Sequence, residues 1–157
     1  MKLIAIDPGQ SGGVAFWNSN IIQAHSMPDT EGDILALLRS ICENPGSTIA
    51  FVEEVGGYIG KAQPASSAFK FGRGFGFLLG CLQTLGVRIE LVRPQKWQKT
   101  LSLGNSKDCP NKTEWKNKLK AMAQRLFPQI HVTLATTDAL LILEFAIRMK
   151  SNEIERP

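Results

Sequence analysis

The chain has 157 residues, a length that suits one domain with its own core, spanning 1–157. With 43% hydrophobic and 20% charged residues it has the balance of a globular protein, which excludes a fibrous or disordered chain. The net charge of +4 is unevenly spread: residues 1–60 hold two basic and seven acidic side chains, residues 61–120 hold twelve and three, and the remainder balance. So basic a middle third points to a polyanionic partner, the alternative being a solvated surface. The most apolar run, Ala139 to Met149, contains Glu144 and falls short of the roughly 20 residues that a membrane helix needs. Met1 to Ile6 is too short for a signal sequence. Cys42, Cys81 and Cys109 form no CxxC pair and neighbour no histidine cluster, so neither a disulfide framework nor a zinc site is expected. The expectation is a cytoplasmic protein with no membrane partner.

Lys2 to Ile6 reads as a short buried strand that ends at Asp7, followed by an Asp7-Pro8-Gly9 turn and the glycines Gly12 and Gly13. A second strand runs through Val14 to Trp17, Asn18-Ser19-Asn20 signals a hairpin, and Ile21 to His25 makes a third strand. Thr30 and Asp33 have capping-box spacing, and Ile34, Leu35, Leu37, Leu38, Ile41 and Cys42 form an apolar helical stripe that Asn44-Pro45-Gly46 stops. Thr48 to Val52 is a fourth strand ending at Glu53. A glycine-rich loop leads to a helix from about Ser66 to Leu85, and Val87 to Val92 is a fifth strand. A short helix is expected over Gln95 to Leu103, an amphipathic one over Asn111 to Phe127, and a last one from Thr136 or Thr137 to Lys150. This order predicts an α/β fold: a mixed five-stranded sheet, its first three strands antiparallel, with helices on its faces.

Three acids stand where chemistry is cheap to build. Asp7 and Glu53 end strands one and four, and Asp138 lies in the first turn of the last helix. If strands one and four are neighbours, their ends project carboxylates into one cleft. Hard divalent cations want several such oxygens, and two ions about 4 Å apart can serve both sides of a phosphodiester hydrolysis. Each acid also has a plain reading: a turn residue, a strand-end charge, a partner for the helix dipole.

Ile4-Ala5-Ile6-Asp7-Pro8-Gly9, Val52-Glu53-Glu54-Val55, Phe71-Gly72-Arg73-Gly74 and Thr137-Asp138-Ala139-Leu140-Leu141 together resemble the RuvC-like Holliday junction resolvases, most of all their compact phage and prophage forms. Pro94-Gln95-Lys96-Trp97 and Leu126-Phe127-Pro128 extend the resemblance over nearly the whole chain. It implies a ribonuclease-H-like fold, a homodimer, and an endodeoxyribonuclease that resolves four-way DNA junctions by paired symmetric nicking. It also implies two Mg²⁺ or Mn²⁺ ions per site, with Asp7, Glu53 and Asp138 as catalytic metal ligands and no nucleotide cofactor. Glu54 stands where relatives often carry a basic residue and is given no direct role. The family's fourth acid, three residues before Asp138, is here Ala135; His131 is the nearby candidate to replace it.

Lys112, Lys116 and Lys120 recur every four residues, and Lys61, Lys70, Arg73, Lys96, Lys99 and Lys107 extend the basic surface, a set suited to backbone phosphates. Tyr58, beside Ile59 on the glycine-rich loop, is a candidate to stack on an unpaired base at a junction, or else folds onto the domain. Gly72, Gly76 and Gly80 make a bare helical stripe, expected to meet either a twofold partner or the chain's own sheet. Two other readings stay open: a junction-binding protein impaired in cleavage by Ala135, and a ribonuclease-H-type nuclease acting on RNA–DNA hybrid. An actin-like phosphotransferase would need a second phosphate loop and a larger second domain than this length allows.

Overall fold

In the computed structural model, which describes residues 1–19, 21–54, 56 and 64–154, the strands are β1 (Lys2–Asp7), β2 (Gly13–Asn18), β3 (Ile21–Ser26), β4 (Thr48–Glu53) and β5 (Arg88–Val92). They form one sheet in the order β3-β2-β1-β4-β5. β1 pairs antiparallel with β2 and parallel with β4, and β4 pairs parallel with β5. The antiparallel start follows from the tight β2–β3 connection, where Ser19 takes a left-handed φ of 46°. The parallel half needs crossovers, and helices supply them.

Alternation along the central strands assigns the two faces. Leu3, Ala5 and Phe51 belong to one core, with α3 (Pro94–Thr100), α4 (Lys112–Leu126) and α5 (Leu134–Ile154). Ile4, Ile6, Ala50 and Val52 belong to the other, with α1 (Glu31–Ile41) and α2 (Ala65–Thr84). Because β1 and β4 are buried on both sides, their sequences run apolar without a break rather than alternating. α5 lies across the sheet, and Ala139 to Leu143 are fully buried. A helix apolar all round is one packed on all sides, which is why this stretch is the most hydrophobic in the chain. Among the described residues no helix is long and apolar enough to cross a membrane.

Local chemistry sets the boundaries. Thr30 accepts from the Asp33 amide at 3.1 Å and caps α1. α5 starts at Leu134, earlier than the apolar pattern suggests, and runs past Lys150 to Ile154. Its start is made by Thr133 and Thr136, each taking the other's amide on its hydroxyl, at 3.0 and 3.2 Å. α3 is shorter than expected and ends at Thr100, with Ser102 at a φ of 54° turning the chain away. Cys42 and Cys81 are buried free thiols and Cys109 is half-buried, so none is bridged.

Candidate active site

The parallel register places Ile6 opposite Val52, so Asp7 and Glu53 follow side by side at the ends of β1 and β4. Side chains alternate along a strand. Asp7 shares its parity with Leu3 and Ala5, and Glu53 shares its own with Phe51, so both carboxylates face the α5 side of the sheet. Glu54 has the opposite parity, and its carboxylate pairs with Arg93 at 2.9 Å. That explains its exclusion from the cluster. Asp138 arrives from the N-terminal part of α5, which packs on β1 and β2.

Two glycines permit this convergence. A Cβ on Gly12 would stand 2.1 Å from the Asp7 carbonyl oxygen. A Cβ on Gly13 would stand 2.7 Å from both the Ala135 and His25 carbonyl oxygens. The start of β2 is therefore pressed between the Asp7 turn and the head of α5, where no side chain fits.

The three acids are half-buried, and each is harder to ionise than usual. Burial, then the neighbouring Asp138 and Glu53 charges, push Asp7 up to about 8, with Lys116 opposing. Burial raises Glu53 to about 7; the Trp97 hydrogen bond opposes this and Asp138 adds to it. Burial raises Asp138 as well, again against Lys116. Lys116 is thus the one member of the expected basic stripe felt by two of the acids. It lines a crevice with Leu134, Thr137 and Asp138 of only about 10 Å³. Small-molecule sites usually enclose about 300–1,000 Å³, far more than this crevice holds.

Three oxygen-bearing side chains, with no sulfur or nitrogen among them, fit a hard divalent cation, and such a cation would offset their mutual repulsion. Among the described residues, however, no three His, Cys, Asp or Glu side chains are drawn together into a metal-holding cluster. His131 is exposed and joins no such group. Ala135 is half-buried in the first turn of α5, one turn before Asp138.

The other expected residues are scattered. Lys70, Lys96, Lys99, Lys107 and Lys112 are exposed and Lys120 is half-buried. Lys99 lines a groove of about 720 Å³ with Gln95, Gln98, Ser102, Gly104, Asn105 and Ser106, a surface to which none of the three carboxylates contributes. Arg73 pairs with Glu31 of α1 at 2.9 Å. Lys61 and Tyr58 lie outside the described residues. Gly72, Gly76 and Gly80 are exposed, and among the described residues a Cβ on any of them would meet nothing within 4 Å, so the stripe is not packed on the described sheet. Trp97 escaped notice as a site residue. It is buried, and its indole N–H donates to Glu53 Oε2 at 2.8 Å. The available signal was that a buried tryptophan must find an acceptor.

No family model and no curated protein matches the chain. Among solved structures it resembles Thermus thermophilus RuvC, with 19% identity, a TM-score of 0.61, and coverage of 96% of this chain and 97% of that one. The fold is the ribonuclease-H-like fold of RuvC. T. thermophilus RuvC in complex with a Holliday junction substrate gives 18% identity and a TM-score of 0.63, covering 95% and 96% of the two chains.

The raised carboxyls predict how stability depends on pH. Between the ordinary carboxylate range and about 8, the folded chain holds protons on Asp7 and Glu53 that the unfolded chain has released. Their contribution is therefore complete at low pH and is lost as pH rises to about 8. In a chelator, the unfolding midpoint at pH 8 should fall below that at pH 5.5. A loss of at least 1 kcal/mol corresponds to about 2–4 °C for a chain this size. Millimolar Mg²⁺ or Mn²⁺ should recover most of the drop, and Asp7→Asn should flatten it. Calorimetry showing no dependence on pH or ion in this window would contradict the assignment.

Proposed function

We propose that this chain is a metal-dependent endodeoxyribonuclease that resolves four-way DNA junctions by paired symmetric nicking as a homodimer. One observation supports the reading: Asp7, Glu53 and Asp138, on three separate elements of this fold, lie within electrostatic reach of one another, Asp138 and Glu53 making Asp7 harder to ionise and Asp138 doing the same to Glu53. A solved protein of the same fold is described in complex with a Holliday junction. The kinship with compact phage forms rests on sequence motifs alone.

Asp7, Glu53 and Asp138 would hold Mg²⁺ or Mn²⁺, which when bound favours charge on the entering and leaving oxygens of a phosphodiester. Lys116, beside two of the acids, would meet a strand phosphate at the scissile position, while the outlying lysines hold the flanking arms. Labelled linear DNA, RNA–DNA hybrid and four-way junction, offered with and without Mn²⁺, test the reading. Metal-dependent paired nicks confined to the junction are expected. Equal cutting of linear duplex, or preference for the hybrid, would reject it, the latter in favour of a ribonuclease-H activity.

A second reading has its own observation. The small apolar side chain of Ala135 stands one turn from Asp138, and no three ligand-type side chains are gathered among the described residues. These favour a protein that binds junctions and cleaves them poorly.

Junction affinity should fall steeply with salt, because phosphate contacts release counterions. Lys112→Ala and Lys116→Ala should each reduce the logarithmic slope by about one if each meets one phosphate. Unchanged slopes in both would make them solvated surface residues.

The open glycine face of α2 is the proposed twofold contact. Since nothing among the described residues lies within 4 Å of a Cβ at Gly76, Gly76→Trp should leave the monomer folded yet weaken the dimer in sedimentation equilibrium. A wild-type monomer at micromolar concentration would remove the dimer from this reading.

A further inference from the structure

We propose that Trp97 is a positioning residue that fixes which oxygen of Glu53 is offered to the cleft. The inference rests on the reading of Glu53 as a metal ligand. Trp97 is 1% exposed, within the core that α3 shares with α5. Any large apolar side chain could fill that volume. An indole adds a single donor that must be satisfied when buried, and its acceptor is Glu53 Oε2 at 2.8 Å. The bond fixes the orientation of the carboxylate and favours the other oxygen for a cation.

The surrounding contacts keep this geometry. The Glu54 amide donates to the Val92 carbonyl at 2.8 Å, and Arg93 Nε donates to Glu54 Oε2 at 2.9 Å. The end of β4 is thus tied through Glu54 to the β5–α3 junction that leads to Trp97. Trp97 would act on the site through its bond to Glu53.

Trp97→Phe removes the N–H and keeps an aromatic side chain; Leu101→Val, in the same core, serves as the packing control. For each protein, Mg²⁺ is titrated against the unfolding midpoint and against tryptophan emission. Losing a partner that orients a metal ligand typically weakens metal affinity about 10- to 100-fold, so the Trp97→Phe midpoint should rise at least about tenfold. Leu101→Val should leave it unchanged. Mg²⁺ should also alter the emission of the wild type but not of Trp97→Phe or Glu53→Gln. A wild type that Mg²⁺ neither stabilises nor perturbs would defeat the reading of Glu53, and this proposal with it. A wild type that responds, beside an equal Mg²⁺ midpoint in Trp97→Phe or an equal shift in Leu101→Val, would defeat the positioning role alone. Should Trp97→Phe fail to fold, the emission comparison between wild type and Glu53→Gln decides: a change retained in Glu53→Gln overturns the proposal.

Discussion

Asp7→Asn should reduce junction nicking by at least about a thousandfold, roughly 4 kcal/mol of barrier, while leaving junction affinity in chelator within about twofold. The two outcomes separate because the change removes a carboxylate and leaves every lysine of the basic surface in place. Asp7 feels the charges of both Asp138 and Glu53, so on the proposed reading its loss removes one of the three carboxylates that would hold the cation. On the proposed reading, phosphate binding uses exposed lysines that the change does not touch. Glu53→Gln should behave alike, with a smaller structural cost because glutamine can still accept from Trp97 through its carbonyl oxygen. The asparagine protein should also be more stable than the wild type in chelator at pH 8, having lost a carboxyl that resists ionisation. Single-turnover cleavage and gel-shift titration on one junction make the comparison. Affinity that falls in step with cleavage, in a folded variant, would count against Asp7 as a ligand.

The reverse experiment restores an acid. Ala135→Asp should raise single-turnover nicking at least about tenfold, equivalent to about 1.4 kcal/mol. Ala135 and Asp138 are one turn apart on α5 and so share a face, on which a second carboxylate would join the cluster. The position also suits an anion for a reason independent of metals: the first turn of a helix carries exposed amides and a positive dipole end. The chain with Ala135 should cleave slowly and depend more on Mn²⁺ than on Mg²⁺, since a site short of carboxylates must use weaker ligands. Brisk Mg²⁺-dependent cleavage by the Ala135 chain, unimproved by aspartate, would show that another group completes the site. His131 would have to move to serve, because it is exposed in the structure.

Much of this architecture is local and was readable from residues alone. Strand and helix positions follow from apolar spacing, turn residues and caps, each involving neighbours a few positions apart. The Thr30–Asp33 cap and the glycine after α2 are of this kind. So are the strand-end positions of Asp7 and Glu53, because a charged residue closing an apolar run announces itself. The start of α5 escaped because two threonines signal a cap equally well at several positions, and only the reciprocal Thr133–Thr136 bonds choose between them.

The sequence by itself determined the element order, the three acids and the basic middle segment. Only the tertiary structure decided that β1 lies beside β4, with Asp7 and Glu53 on the same side of the sheet. It alone turned Glu54 toward Arg93, brought Trp97 onto Glu53 and left the glycine face of α2 uncovered. The physical reason is range. Propensities and caps act within a turn or two, whereas strand order, helix docking and the choice of hydrogen-bond partner are set by burial of surfaces far apart in the chain. Trp97 and Glu53 stand 44 residues apart, and nothing local to either names the other.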